Sequence, residues 1–268
     1  MANNLLAGKK GIIFGALDES SIAWKVAEKA YEEGAEILLT NAPVALRMGK
    51  IKDLAVKTNT EVVPADATSM EDINALLDAA EQKFGKIDFM LHSIGMSPNV
   101  RKKRTYTNLN YDWLNKTYDV SAVSFHKVMQ ALYERDLVND WGSMLALSYI
   151  AAQRTFGKYS DMADAKALLE SIARSFGYHF GVKNNVRVNT ISQSPTPTTA
   201  GTGVAGFDKM LEYGEKMSPL GNATADDCAA YCIMLFSDYT RKVTMQNLYH
   251  DGGFSSMGIA DGLIADPE

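Results

Sequence analysis

Short apolar runs alternate with longer amphipathic stretches along this 268-residue chain. GIIF (11–14), AEILLT (35–40), EVVPA (61–65), KIDFMLH (86–92), WGSMLALSY (141–149), NVRVNTIS (185–192) and VTMQNLYH (243–250) are brief, rich in β-branched or large apolar residues, and predict strands. Between them apolar residues recur at three- and four-residue intervals. That spacing predicts helices over 21–34, 44–58, 69–85, about 110–137, about 158–182 and about 225–236. Boundary residues support several of these. Gly34 and Gly85 stop two helices, and Ser69 followed by Glu71 and Asp72 starts the second of them.

Seven strand-like runs separated by helices, and apolar nearly throughout, are the pattern of βαβ units whose strands are buried on both faces. The expectation is an α/β fold: one doubly wound, Rossmann-like domain over 1–268, with a seven-stranded parallel sheet and helices on both faces. No linker, repeat or low-complexity segment interrupts it. The long irregular segments, 95–109 and 193–206, both follow C-terminal ends of strands, where such sheets bind ligands.

Composition narrows the function. A net charge of −5 argues against nucleic acid as a partner, because neutralising phosphates takes a basic surface. No apolar run approaches the length needed to enter a membrane, and the first residues, MANNLLAGKKG, do not have the build of a signal peptide. Cys228 and Cys232 lie four apart in DDCAAYCIMLF and predict inert core thiols, which suits the cytoplasm. The four histidines show no metal-ligand spacing, so no metal is expected.

Candidate chemistry gathers at the strand ends. The first βα turn, FGALDESSIA (14–23), lacks the three-glycine dinucleotide fingerprint. Gly15 can still turn tightly, and Ser20 or Ser21 with the N–H groups of the helix start can hold a pyrophosphate; a plain serine-capped helix is the other reading. After the second strand TNAP (40–43) offers no acid for a ribose 2′-hydroxyl, which leaves NADH and NADPH both open. Asp66 in PADAT (64–68) either accepts from an adenine amino group or caps the next helix. Ser93, Ile94 and Gly95 end the fourth run, where glycine lets the backbone approach a flat ligand. Tyr159 and Lys166 bracket YSDMADAK. On a continuous helix they would leave one face about 10 Å apart along the axis. A phenol there can stabilise an oxygen gaining negative charge, and a lysine can hold ribose hydroxyls and lower the phenol's pKa. RKKR (101–104) is a basic loop, either merely solvated or a dock for an acidic partner.

Taken in order, G-x5-S-I-A (15–23), HSIG (92–95), S-Y (148–149), Y-x6-K (159–166) and RVN-IS (187–192) resemble the enoyl-(acyl carrier protein) reductases of bacterial fatty-acid synthesis, divergent members of the short-chain dehydrogenase/reductase superfamily. The resemblance runs from about residue 5 to DGGF (251–254). It implies reduction of the C=C bond of trans-2-enoyl thioesters by NADH, with NADPH possible, on an acyl carrier protein partner and in a homotetramer. Tyr159 would stabilise the enolate, Lys166 would hold the nicotinamide ribose, and Tyr149 would line the acyl pocket. Gly15, Ser21, Ile22, Asp66, Ala67, Ser93, Ile94, Gly95 and Thr196 would face the cofactor. Ser97, Met162, Phe207 and Met210 would face the substrate, the last two on a mobile loop spanning about 194–212. Three features depart from the family pattern. G-P-I-x-T is replaced by S-P-T-P-T (194–198), only Lys209 remains of the basic residues on the loop helix, and the segment after the second strand is atypical. A carbonyl reductase of the same superfamily would carry Y-x3-K, but position 163 is alanine. A non-catalytic nucleotide-binding protein would be expected to lose Tyr159 or Lys166.

Overall fold

β1 (Lys10–Phe14) shows how the sheet is buried: Ile12 and Phe14 face one helical layer and Ile13 the other, as the two-residue period of a strand requires. The computed structural model describes residues 3–199, 201–202 and 206–261. After β1 come α1 (Ile22–Glu32), β2 (Glu36–Thr40), α2 (Pro43–Met48), α3 (Ile51–Lys57), α4 (Met70–Phe84) and β3 (Ile87–His92). Next are α5 (Pro98–Arg101), α6 (Tyr111–Tyr118), α7 (Ser124–Glu134), β4 (Val138–Ser148), α8 (Asp161–Asn184), β5 (Arg187–Gln193), α9 (Phe207–Met217), α10 (Ala225–Phe236) and β6 (Asn247–His250). The strands pair in the order β2-β1-β3-β4-β5-β6, all parallel. Helices α4, α7 and α8 cover one face, and α1, α3 and α10 the other. Cys228 and Cys232 are fully buried in the second layer as free thiols. No helix among the described residues is long and apolar enough to cross a membrane.

Four sequence expectations change. The sheet of the described residues has six strands, not seven, because EVVPA runs beside β2 without becoming a strand. Its contacts amount to one bridge, Leu39 to Val62, with backbone bonds from Leu39 to Glu61, Val63 to Leu39 and Ala65 to Asn41. Pro64 has no N–H to extend a ladder outward, and the segment stays an edge. The helix expected over 44–58 is two, broken where Gly49 is extended. The long helix over 110–137 is divided by a π-helical turn at Asp119–Val123. The fourth change bears on chemistry: Tyr159 is not on α8. Ser160 has φ +50°, a left-handed conformation that no right-handed helix continues through, so α8 begins at Asp161. Tyr159 and Lys166 are therefore not two turns apart on one helical face.

Candidate active site

A cleft of about 470 Å³ opens at the C-terminal ends of β1, β3, β4 and β5. Gly15 forms its floor, with φ +97° and its backbone so close to β3 that a Cβ would lie 2.1 Å from the Ser93 carbonyl oxygen. Only glycine fits there. The hydroxyl of Ser21 accepts from Leu17 N at 3.2 Å and donates to Asp18 O at 2.7 Å, so it shapes the turn. What the turn offers a ligand is the start of α1: Ile22 lines the cleft and, at the first helical position, its N–H has no acceptor within the helix. Thr199 Oγ1 donates to Asp18 Oδ2 at 2.6 Å and ties the far loop to this turn. Asn41 lines the cleft where an acid was sought, its amide spent on Ala16 O at 2.9 Å and Ala42 N at 2.8 Å.

Lys166 is nearly buried, and its ammonium donates to Leu147 O at 2.7 Å. Two further protons remain for the cleft. Gly95 lies opposite: a Cβ there would stand 3.6 Å from Lys166 Nζ, so the missing side chain keeps a flat ligand's path open. Burial lowers the Lys166 pKa to about 8, opposed by the negative charge of Glu170 one turn on. Glu170 is itself buried and accepts from Ser148 Oγ at 2.7 Å and Gln153 Nε2 at 3.2 Å.

Tyr159 and Tyr149 meet on the substrate side, ring centroids 5.0 Å apart, and Tyr149 packs against Phe156 at 5.3 Å. Desolvation pushes both phenols well above their ordinary pKa. This reverses the sequence expectation for Tyr159: burial outweighs any pull from Lys166, and the phenol stays protonated, as a hydrogen-bond donor must.

The cleft brings together Gly15, Ser21, Ile22, Ser93, Ile94, Gly95, Ser97, Tyr149, Tyr159, Met162, Lys166, Thr196, Phe207 and Met210. Asp66 and Ala67 stand outside its lining. Asp66 Oδ1 accepts from Thr68 N and Oγ1 at 2.9 and 2.8 Å, a local turn, while Ser69 is the true cap of α4 through Asp72 N. Ser97 lines the cleft with its hydroxyl proton already committed. It caps α5 through Val100 N and donates to Asp161 Oδ1 at 2.6 Å. Of the loop expected over about 194–212, residues 200 and 203–205 lie outside the described residues, and 207–217 is helix α9.

Asp161 is the residue the sequence reading missed. Its carboxylate is fully buried and accepts from Ser97 Oγ, from Asn99 Nδ2 at 2.8 Å and from Thr117 Oγ1 at 2.8 Å. It joins three segments two residues after Tyr159, and nothing local in the sequence announces those partners. Glu170 was missed as well, although a signal for it exists: four residues after Lys166 on a helix is the same face.

The residues that frame the cleft fall within the segment, 15–255, that matches the family model described as Enoyl-(Acyl carrier protein) reductase. The chain is 34% identical over 271 residues to enoyl-(acyl-carrier-protein) reductase (NADH) 2 of Rhizobium meliloti (strain 1021), across 99% of this chain and 100% of the relative. It superposes on the FabI–NADH complex from Alistipes finegoldii with TM-score 0.97 and 66% identity, covering 99% of this chain and 94% of that one. The enoyl-(acyl carrier protein) reductase (NADH) from Aquifex aeolicus VF5 gives TM-score 0.88 at 30% identity, over 95% of this chain and 100% of that one. Strand order, cleft position and these matches together make the chain a member of the enoyl-(acyl carrier protein) reductase family.

Proposed function

We propose that this protein reduces the C=C bond of trans-2-enoyl thioesters presented on an acyl carrier protein, using NADH, in fatty-acid elongation. The observation that carries the reading is the shared cleft of Tyr149, Tyr159 and Lys166, with alanine four residues after Tyr159 where a carbonyl reductase would have lysine. NADH, when bound, supplies the hydride that adds to the β-carbon of the enoyl thioester. Tyr159, a protonated phenol, donates to the thioester oxygen as negative charge gathers there. Lys166 offers its two remaining ammonium protons to the nicotinamide ribose. The turn at Gly15 and the first N–H groups of α1 suit the pyrophosphate, and Thr196 in the cleft lining is the candidate for a carboxamide contact. Tyr149, Met162, Phe207 and Met210 enclose the acyl chain. The proton reaching the α-carbon comes from solvent.

A homotetramer is supported by Leu168, Tyr178 and Val182, which α8 leaves exposed; light scattering would read its mass. A cytoplasmic setting is supported by the two free core thiols.

The test is loss of 340 nm absorbance with a 2-enoyl thioester, run with NADH and NADPH in parallel, for wild type and Tyr159→Phe. The expected result is NADH oxidation that falls about 10²- to 10³-fold in the variant, the loss typical of one removed oxyanion donor. Oxidation only with a ketone substrate would point to the carbonyl reductase instead. Binding of NADH with no turnover of either substrate would mark a non-catalytic protein.

A further inference from the structure

The basic run 101–104 is more than a solvated loop. It closes α5 and is held from several sides. The backbone N–H groups of Lys102, Lys103 and Arg104 donate to the carbonyls of Pro98, Val100 and Asn99. Asn99 exchanges two bonds with the main chain of Asn110, at 3.1 and 3.0 Å, and a third ties it to buried Asp161. Arg104 lies over the Trp113 ring, 5.5 Å from its centroid, and donates to Asn108 O at 3.1 Å. A segment anchored this way presents its charges in fixed positions.

Three cations are presented. Arg101, Lys102 and Lys103 are exposed, and none takes part in an ion pair among the described residues. Arg101 also lines the cleft, beside Val100 and Met162, so the run stands at the mouth of the site. Lys103 adds an independent observation. Its φ is +56°, a left-handed position that glycine or asparagine occupies at lower cost. A long cation thus stands at a strained backbone position, in a chain of net charge −5.

We infer that residues 101–103 form a preset docking platform for the acidic face of the carrier protein that delivers the enoyl thioester. The inference rests on the enoyl reductase reading. Its electrostatics act on encounter and orientation outside the cleft, so it affects carrier-bound substrate and not the chemistry. A rival platform is the rim of a neighbouring cavity of about 560 Å³, where Arg154, Lys158 and Lys209 surround apolar walls.

The experiment compares enoyl carrier protein with the neutral N-acetylcysteamine thioester of the same acyl chain. It uses wild type, Lys102→Gln/Lys103→Asn and Lys158→Gln/Lys209→Gln. Asparagine tolerates the left-handed backbone, so the first variant should fold at least as well as wild type. The expected result is a KM for carrier substrate raised at least fivefold in Lys102→Gln/Lys103→Asn and a flattened dependence of that KM on salt. The small thioester should react within twofold of wild type. An unchanged carrier KM in that variant, or a rise confined to Lys158→Gln/Lys209→Gln, overturns the assignment. Wild type inactive on both thioesters would overturn the enoyl reductase reading and this inference with it.

Discussion

Asp161→Ala should be among the most damaging single substitutions outside the reacting groups. The buried carboxylate accepts three hydrogen bonds of 2.6 to 2.8 Å from Ser97, Asn99 and Thr117, all three themselves buried. Truncation does not strand them equally. Asn99 Nδ2 keeps its bond to Asn110 O, and the Thr117 hydroxyl can turn wholly to Trp113 O at 2.8 Å. Ser97 loses its only acceptor. One stranded buried donor costs roughly 1–3 kcal/mol, and the two weakened bonds roughly 1 kcal/mol each. Relief from keeping a charge buried offsets part of this, so the net loss is about 3 kcal/mol. Asp161→Asn keeps the volume and one accepting oxygen and should lose about half as much. The assay is urea denaturation at fixed protein concentration, read as the midpoint at unchanged slope. The same network joins the Ser97–Arg101 wall to the turn carrying Tyr159. KM for the enoyl substrate should therefore rise in Asp161→Ala while NADH affinity, set across the cleft, stays within a few-fold. A loss of stability under about 1 kcal/mol, or an NADH defect larger than the enoyl defect, would refute the reasoning.

Three further outcomes are expected. Gly15→Ala places a Cβ 2.1 Å from the Ser93 oxygen at φ +97°; it should weaken NADH binding at least tenfold by fluorescence titration and lower the denaturation midpoint. Lys166, with its pKa lowered to about 8 by burial, should lose its charge as pH rises through that value, so kcat/KM for NADH should fall above pH 8 and the break should vanish in Lys166→Arg. Because the unfolded lysine holds its proton to higher pH, Lys166's contribution to folding runs the other way, becoming more favourable between about pH 8 and 10.5. His92 is buried with its pKa lowered to about 3 by desolvation and then by the Lys166 charge, so the unfolded chain takes up the proton first. Its contribution should destabilise the fold by up to about 1.4 kcal/mol per unit as pH falls below about 6.5, and His92→Gln should flatten that slope in acid titrations.

Much of the molecule was written in local order along the chain. Apolar runs bounded by glycines and a serine cap located six strands and the helices between them. The glycine at 15, the HSIG end of β3 and the Tyr159–Lys166 spacing pointed to the cleft, because such features depend on neighbours close in sequence. Four things could not be read that way. Residues 61–65 have the composition of a strand, but a single bridge to β2 leaves them outside the ladder. Tyr159 has a helical pattern after it, yet the positive φ of Ser160 puts it outside α8. The ionisation of the Tyr159 phenol follows burial rather than the nearby lysine, and burial is a property of the assembled fold. Asp161 acquires its role only where α5, α6 and α8 converge, 64 residues from Ser97 and 44 from Thr117. Periodicity and turn chemistry act over a few residues and can be read from the chain; desolvation and hydrogen bonding between remote segments exist only once the chain has folded.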